Sequence, residues 1–136
     1  MDPWTVSTGV AGFFSLAIEI TKILKQYINE VKSAYADAHT FLVETTALCG
    51  CLEQFIKFLR CGAAIGNLPN SSALRLIIAI CDDKVRKLHA KLMKFHNSRG
   101  LTQRFTWPFD KGEYSETIAF LRHCTQAFGF SITVSS

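Results

Sequence analysis

The side chains best suited to chemistry in this sequence are five cysteines and four histidines. A structural zinc site usually draws its ligands from cysteine pairs separated by two residues, with a second pair of ligands further along the chain. Cys49 and Cys51 are separated by one residue, and residues two apart on a helix point to different faces. Cys124 beside His123 forms no metal motif either. We therefore predict neither a metal site nor a bound cofactor.

Nucleophilic catalysis is the other chemistry that these side chains could perform. It requires a base held against the nucleophile, yet the four histidines lie on helix-like sequence without a glycine-rich nucleophile turn. The glycine patterns that cradle nucleotide phosphates are missing as well. The sequence thus predicts a protein that is not an enzyme. Its cysteines have apolar neighbours at helical spacing, which is typical of small buried side chains in a reducing, intracellular compartment.

A basic stretch is a second candidate site, for binding rather than chemistry. Residues 75–104 contain eight lysines and arginines and two aspartates, whereas the segments on either side each carry a net charge of −1. Four of the lysines share one face of a predicted helix; they are Lys84, Lys87, Lys91 and Lys94. This face is either an ordinary solvated face or a surface for anionic lipid headgroups. We expect no nucleic-acid partner, because no nucleic-acid-binding motif is present and the net charge of +4 is modest.

The amino-terminal twenty residues are the strongest candidate. From Pro3 to Thr21 the only charged residue is Glu19, and a helix of that length spans roughly 28 Å, close to the hydrocarbon thickness of a bilayer. Lys22 and Lys25 follow and match the headgroup region of a cytoplasmic leaflet. A helix that is apolar on all sides is either buried within a bundle or able to enter a membrane. We expect burial in the resting protein and membrane insertion on activation.

The predicted membrane-inserting residues all lie on this first helix. They are Val6, Gly9, Val10, Gly12, Phe13, Phe14, Leu16, Ile18, Glu19 and Ile20. The predicted inner face of the same helix is formed by Val6, Val10, Phe13, Ala17, Ile20, Leu24, Tyr27 and Val31.

Hydrophobic periodicity places these residues on helices throughout the chain. We predict long helices from about residue 4 or 5 to the low thirties, over about 35–61, from Ser71 or Ser72 to about 96, and from Asp110 or Gly112 to Gly129. A short helical turn is predicted at 101–106, and the alternating residues 130–136 are predicted to be extended. The expected fold is all-α, a single domain over 1–136 built as an antiparallel bundle of four long helices plus a short helix, with an extended carboxy-terminal tail.

The order of several short motifs resembles the HeLo-like amino-terminal domain of fungal NLR-type (STAND) cell-death proteins. The motifs are Met1-Asp-Pro3, Val10-Ala-Gly12, Leu16-Ala-Ile18, Lys22-Ile-Leu24 and Val31-Lys-Ser33, then Thr46-Ala-Leu48 and Leu52-Glu53, and finally Trp107-Pro108, Lys111, Glu113, Glu116-Thr-Ile118, Gln126-Ala-Phe128 and Phe130-Ser-Ile-Thr-Val134. The resemblance covers essentially the whole chain, and its specificity comes from order and spacing.

This resemblance implies a helical bundle that acts as a cell-death execution domain. Its relatives include the HeLo domain of the HET-S fungal incompatibility protein and, more distantly, the four-helix bundle of the mixed-lineage-kinase-like necroptosis effector. In these families an upstream sensor or amyloid-signalling protein drives homo-oligomerisation, and the amino-terminal helix then inserts in the plasma membrane and permeabilises it. Carried onto this sequence, the inserting segment is Val6 to Thr21, with Glu19 on its inner edge. The protein is then expected to be cytoplasmic at rest and at anionic membrane lipids when activated.

A second class of function stays open alongside the membrane effector. The same bundle could serve as an interaction module, a signalling adaptor that packs against a protein partner without touching lipid. The two classes differ in one respect that can be measured, which is whether the chain alone acts on a lipid bilayer.

Overall fold

The computed structural model describes residues 3–31, 36–60, 71–98 and 107–135. Within these ranges the chain forms four α-helices, which are α1 (Pro3–Glu30), α2 (Ala36–Arg60), α3 (Ser71–Ser98) and α4 (Lys111–Ser135). None of the described residues belongs to a strand, so the predicted all-α class is confirmed. The short helix predicted at 101–106 lies outside the described residues.

The start of α4 is fixed by a side-chain cap. The backbone N–H of Glu113 donates to Asp110 Oδ1 at 2.8 Å, and the N–H of Tyr114 donates to the carbonyl oxygen of Asp110 at 2.9 Å. Asp110 is therefore the N-cap of α4, and it is one of the two residues at which the sequence predicted this helix to begin. The hydrogen bond from the Glu113 backbone is the main reason why the pKa of Asp110 is lowered from its ordinary value.

α1 is the helix that joins the other elements. It packs along both α2 and α3, and α2 packs in turn along α4, whereas α3 and α4 touch at few described positions. Its buried face consists of Val10, Phe13, Ala17, Ile20, Ile23, Leu24 and Tyr27. The predicted inner face is thus confirmed from Val10 to Tyr27, while Val31 is half-buried and the side chain of Val6 lies outside the description.

An aromatic cluster closes one end of the core. The ring of Trp107 stacks on Tyr27 with centroids 5.5 Å apart and meets Phe95 edge-on at 5.8 Å. Phe109 packs edge-on against Phe41 at 4.9 Å. The segment between α3 and α4 therefore contributes two large core side chains that touch α1, α2 and α3. In the sequence Trp107 stands beside Pro108, where no helical periodicity predicts its burial.

The expected extended tail is wrong, because α4 continues to Ser135 and includes Gly129. Ile132 packs against the buried core four residues after the fully buried Phe128, so helical spacing continues past the glycine. The hydroxyl groups of Ser131 and Thr133 each donate to the carbonyl oxygen four residues earlier, at 3.0 Å. The alternation of polar and apolar residues resembled a strand, but packing of one helical face decides the structure.

Two phenylalanines of α4 allow a direct test of this register. Phe128 is fully buried and lies 5.0 Å from the ring of Phe55, so Phe128→Ala should lower the free energy of unfolding by about 3–5 kcal/mol. Phe130 is 67% exposed, so Phe130→Ala should change it by less than about 0.5 kcal/mol. Urea unfolding followed by circular dichroism measures both values. Equal losses for the two variants would contradict a helix through residues 128–130.

Candidate functional site

The predicted inserting segment lies in α1 with a graded exposure. Val10, Phe13 and Ile20 are fully buried. Phe14, Leu16, Ile18 and Gly12 are half-buried, and Gly9 and Glu19 are exposed. The side chain of Val6 lies outside the description. The bundle therefore covers one side of this segment completely and leaves several of its large apolar side chains partly in contact with water.

The buried side of the segment packs on aromatic rings. Phe13 lies against Phe128 of α4, with ring centroids 6.3 Å apart, and Phe128 in turn contacts Phe55 of α2 at 5.0 Å. Phe13 thus reaches the centre of the bundle. Any movement of α1 away from the bundle has to separate this ring from its neighbours and expose them to water or lipid.

A polar contact holds the outer side of α1 to α3. Glu19 Oε2 lies 2.7 Å from His89 Nε2, although the two atoms are not aligned for a hydrogen bond and Nε2 has no other partner among the described residues. His89 is only 18% exposed while Glu19 is 54% exposed. The contact becomes a true ion pair when the imidazole is protonated. Sequence analysis placed Glu19 on the segment's inner edge, and no sequence signal pointed to His89.

Arg86 is a second residue of α3 that approaches the segment. Its Nη2 lies 3.6 Å from the position that a Cβ atom on Gly12 would occupy, and its Nε donates to Asp82 Oδ1 at 2.8 Å. A small residue at position 12 therefore lets the guanidinium lie over the α1 backbone. An aspartate introduced at Gly12 would place its carboxylate beside this guanidinium.

The predicted lipid-facing lysines lie together on α3, and carboxylates neighbour three of them. Lys87 pairs with Asp83 one turn earlier at 3.1 Å. The other two pairs cross to α4, and they are Lys84 with Glu116 at 3.8 Å and Lys91 with Glu113. Lys94 is exposed. Exposed ion pairs contribute about 0–1 kcal/mol each, so a lipid phosphate or another carboxylate can replace the present partners.

A groove runs between α3 and α4, where the two helices separate. Its volume is about 200 Å³. Its apolar lining comes from both helices and from the segment before α4, and consists of Val85, Leu88, Phe109, Phe120 and Leu121. Lys84 lies 5.9 Å from the ring of Phe120, and Lys91 lies 4.8 Å from that of Phe109. The groove therefore has an apolar floor and charged edges.

The cysteines of the described ranges are free thiols. They are Cys49, Cys51, Cys81 and Cys124, and Cys61 lies outside the description. A hydrogen bond to Cys124 and burial raise the pKa of Cys81, and burial alone raises the pKa of Cys49 to about 11. No group of three or more possible metal ligands occurs in the part of the chain that the structure describes.

No family model, curated protein or solved structure matches this chain. The fold and the contacts described above are therefore the observations on which a function has to rest.

Within the described ranges, no helix combines the length and the mean hydropathy that a membrane crossing needs.

The raised pKa of Cys49 predicts slow alkylation. Only the thiolate reacts, and a thiol with a pKa of about 11 carries about a hundredfold less thiolate near pH 8 than a thiol of ordinary pKa. Iodoacetamide should therefore label Cys49 about a hundredfold more slowly than free cysteine, with a rate that increases until about pH 11. Mass spectrometry of the labelled peptides resolves the site. Rapid labelling of Cys49 at neutral pH in the folded protein would contradict its burial.

Proposed function

We propose that this chain is a non-enzymatic, HeLo-like cell-death execution domain that permeabilises membranes. At rest it is a cytoplasmic helical bundle. After an upstream sensor or amyloid-signalling protein drives homo-oligomerisation, the segment from Val6 to Thr21 leaves the bundle and enters the plasma membrane. The observation that carries this proposal is the half-burial of Phe14, Leu16 and Ile18, because apolar side chains that the bundle covers incompletely gain further burial in lipid.

The proposed bundle alternates helix direction along the chain. Phe13, early in α1, and Phe55, late in α2, both contact Phe128. Tyr27, late in α1, and Phe41, early in α2, both contact Trp107. These contacts support opposite directions for α1 and α2. In such a bundle α1 and α3, which pack against each other, are parallel. The proposed domain also includes the short helix at 101–106.

Anionic lipid is the proposed target of the lysine face. Lys84, Lys87 and Lys91 are at least one third exposed in their side chains, and each basic group near an anionic surface contributes up to about 1 kcal/mol. Lipid phosphates then compete with Glu113 and Glu116 for the same ammonium groups. The lysines orient the bundle on the leaflet, and α1 supplies the permeabilising segment.

An interaction module is the second candidate function, and the groove between α3 and α4 favours it. The groove has an apolar floor, and exposed apolar residues such as Leu76 and Phe130 lie elsewhere on the same two helices. Deleting residues 1–20 does not separate the two functions, since it removes four fully buried side chains; these are Val10, Phe13, Ala17 and Ile20. Such a deletion unfolds the protein under either hypothesis, so point variants are needed.

Phe14→Asp separates the two functions because Phe14 is only half-buried. The bundle should remain folded, whereas a carboxylate at the centre of a bilayer costs about 2.5–3.5 kcal/mol. We expect dye release from anionic liposomes to fall at least about tenfold. Val43→Asp is the matched control, since it adds the same charge at an exposed position of α2 and should leave dye release unchanged. Gly12→Asp is a poorer test, because Arg86 could pair with the new carboxylate and hold α1 in place.

Wild-type dye release without any effect of Phe14→Asp, in a variant shown to be folded by circular dichroism, would rule out insertion of this segment. Absence of release from the wild type at all lipid compositions, with a stoichiometric protein partner instead, would favour the interaction module.

The lysine face predicts a dependence on lipid charge. Dye release should rise with the fraction of anionic lipid, and replacing Lys84, Lys87, Lys91 and Lys94 together by glutamine should flatten that rise. A control variant with the same net charge replaces Lys32, Lys57, Arg60 and Lys111 by glutamine. Vesicle sedimentation measures binding for both variants. Equal loss in the two would show that net charge, rather than this face, attracts the protein.

A further inference from the structure

The groove between α3 and α4 has edges of opposite charge. Lys84, Lys87 and Lys91 lie along the α3 edge, and Glu113 and Glu116 lie along the α4 edge. The charged groups are all partly exposed. Such a surface attracts a partner that presents an acidic ridge to the first edge and a basic ridge to the second.

The same two edges continue into an exposed apolar region. On α3, Leu76 and Ile80 are 62% and 42% exposed, and with Lys84 they recur every four residues, which places them on one side of the helix. On α4, Phe130 is 67% exposed. Each edge therefore has a charged part and an apolar part.

Contacts across the groove fix which parts lie side by side. Lys91 meets Glu113 at one level, and Lys84 meets Glu116 and the ring of Phe120 further along. Residue numbers thus fall along α3 while they rise along α4. Both helices rise by about 1.5 Å per residue, so an equal number of residues covers an equal distance on each. Continued beyond Lys84 and Glu116, this alignment places the turns of α3 that carry Ile80 and Leu76 at the same height as the turns of α4 that lead to Phe130.

We propose that this surface binds a second copy of the chain, with the twofold axis parallel to the groove. This rotation exchanges the two edges and leaves the position of each residue along the groove unchanged. The lysine edge of each copy then faces the glutamate edge of the other, and Leu76 and Ile80 face Phe130 of the second copy. A twofold axis across the groove would instead oppose lysines to lysines, which costs affinity.

The inference rests on the proposed function for the role of assembly, and it names the surface that assembly uses. The pairs within one copy do not prevent it, because exposed ion pairs contribute little and their lysines can bridge carboxylates of both copies. Burial of the apolar parts supplies most of the affinity, while the charged parts set the orientation and make the affinity depend on salt.

Sedimentation equilibrium of the full-length chain tests the apolar part. The wild type should dimerise reversibly, and Phe130→Glu should weaken the dimer at least about tenfold. Val43→Glu is the matched control, because Val43 is 65% exposed on α2, away from the groove, and it should dimerise like the wild type. A wild type that stays monomeric up to the solubility limit, or a Phe130→Glu variant that dimerises normally, overturns the proposal.

A charge exchange tests the orientation. Lys87→Glu and Glu116→Lys should each weaken the dimer, because each makes the facing edges alike in charge. The double variant exchanges the two charges and should recover dimerisation to within about threefold of the wild type, since it again faces acid with base. Added salt should weaken the wild-type and double-variant dimers alike. A double variant weaker than both single variants overturns the twofold arrangement.

The dimer and the membrane activity can fail separately. Phe14→Asp lies on α1, outside the groove, and should dimerise like the wild type while it loses dye release. If the wild type dimerises through this surface but releases no dye, the proposed membrane function fails and the surface stands. If dye release occurs while Phe130→Glu leaves the dimer intact, the membrane function stands and this surface is wrong.

Discussion

The packing of α1 between α2 and α3 is the constraint on which the rest of the structure depends. Fully burying one large apolar side chain contributes about 1.5–3 kcal/mol. Three fully buried residues of the predicted inserting segment are large, Val10, Phe13 and Ile20, and together they contribute on the order of 5–9 kcal/mol. That value is comparable to the entire stability of an ordinary domain, about 5–15 kcal/mol. Removal of α1 into water is thus nearly equivalent to unfolding, and only an alternative apolar environment can make it favourable.

The polar contacts of α1 are weak in comparison with this apolar burial. The contact between Glu19 and His89 is partly exposed, and Arg86 has its own partner in Asp82. Neither contact adds much to the apolar burial. A partner that engages these groups would leave the buried face of α1 intact, so under the proposed function clustering and lipid supply the larger free-energy change.

Much of the fold could be predicted because hydrophobic periodicity and burial have the same cause. The buried face of α1 followed from spacing and residue type alone, whereas for the start of α4 the sequence left Asp110 and Gly112 as alternatives. Residues 130–136 were misread as extended because a β-branched alternation and a helical face differ only in which residues find a packing partner, here Ile132 against the core. Trp107 could not be assigned to the core from the sequence, since no periodicity covers residues in an irregular segment.

The cross-helix contacts of the candidate site were beyond sequence analysis for a different reason. Glu19 and His89 are seventy positions apart in the chain, and Lys84 and Glu116 are thirty-two apart. Their proximity depends on helix order, which places α3 beside α1 and leaves it largely separated from α4. That separation also creates the groove. Because α3 and α4 are in little contact, the facing sides of both helices stay accessible. Under the proposals above, carboxylates of the same chain, carboxylates of a second copy and lipid phosphates compete for the lysines on this face. Assembly through the groove and attachment of this face to a membrane, as proposed, therefore draw on the same ammonium groups and weaken one another.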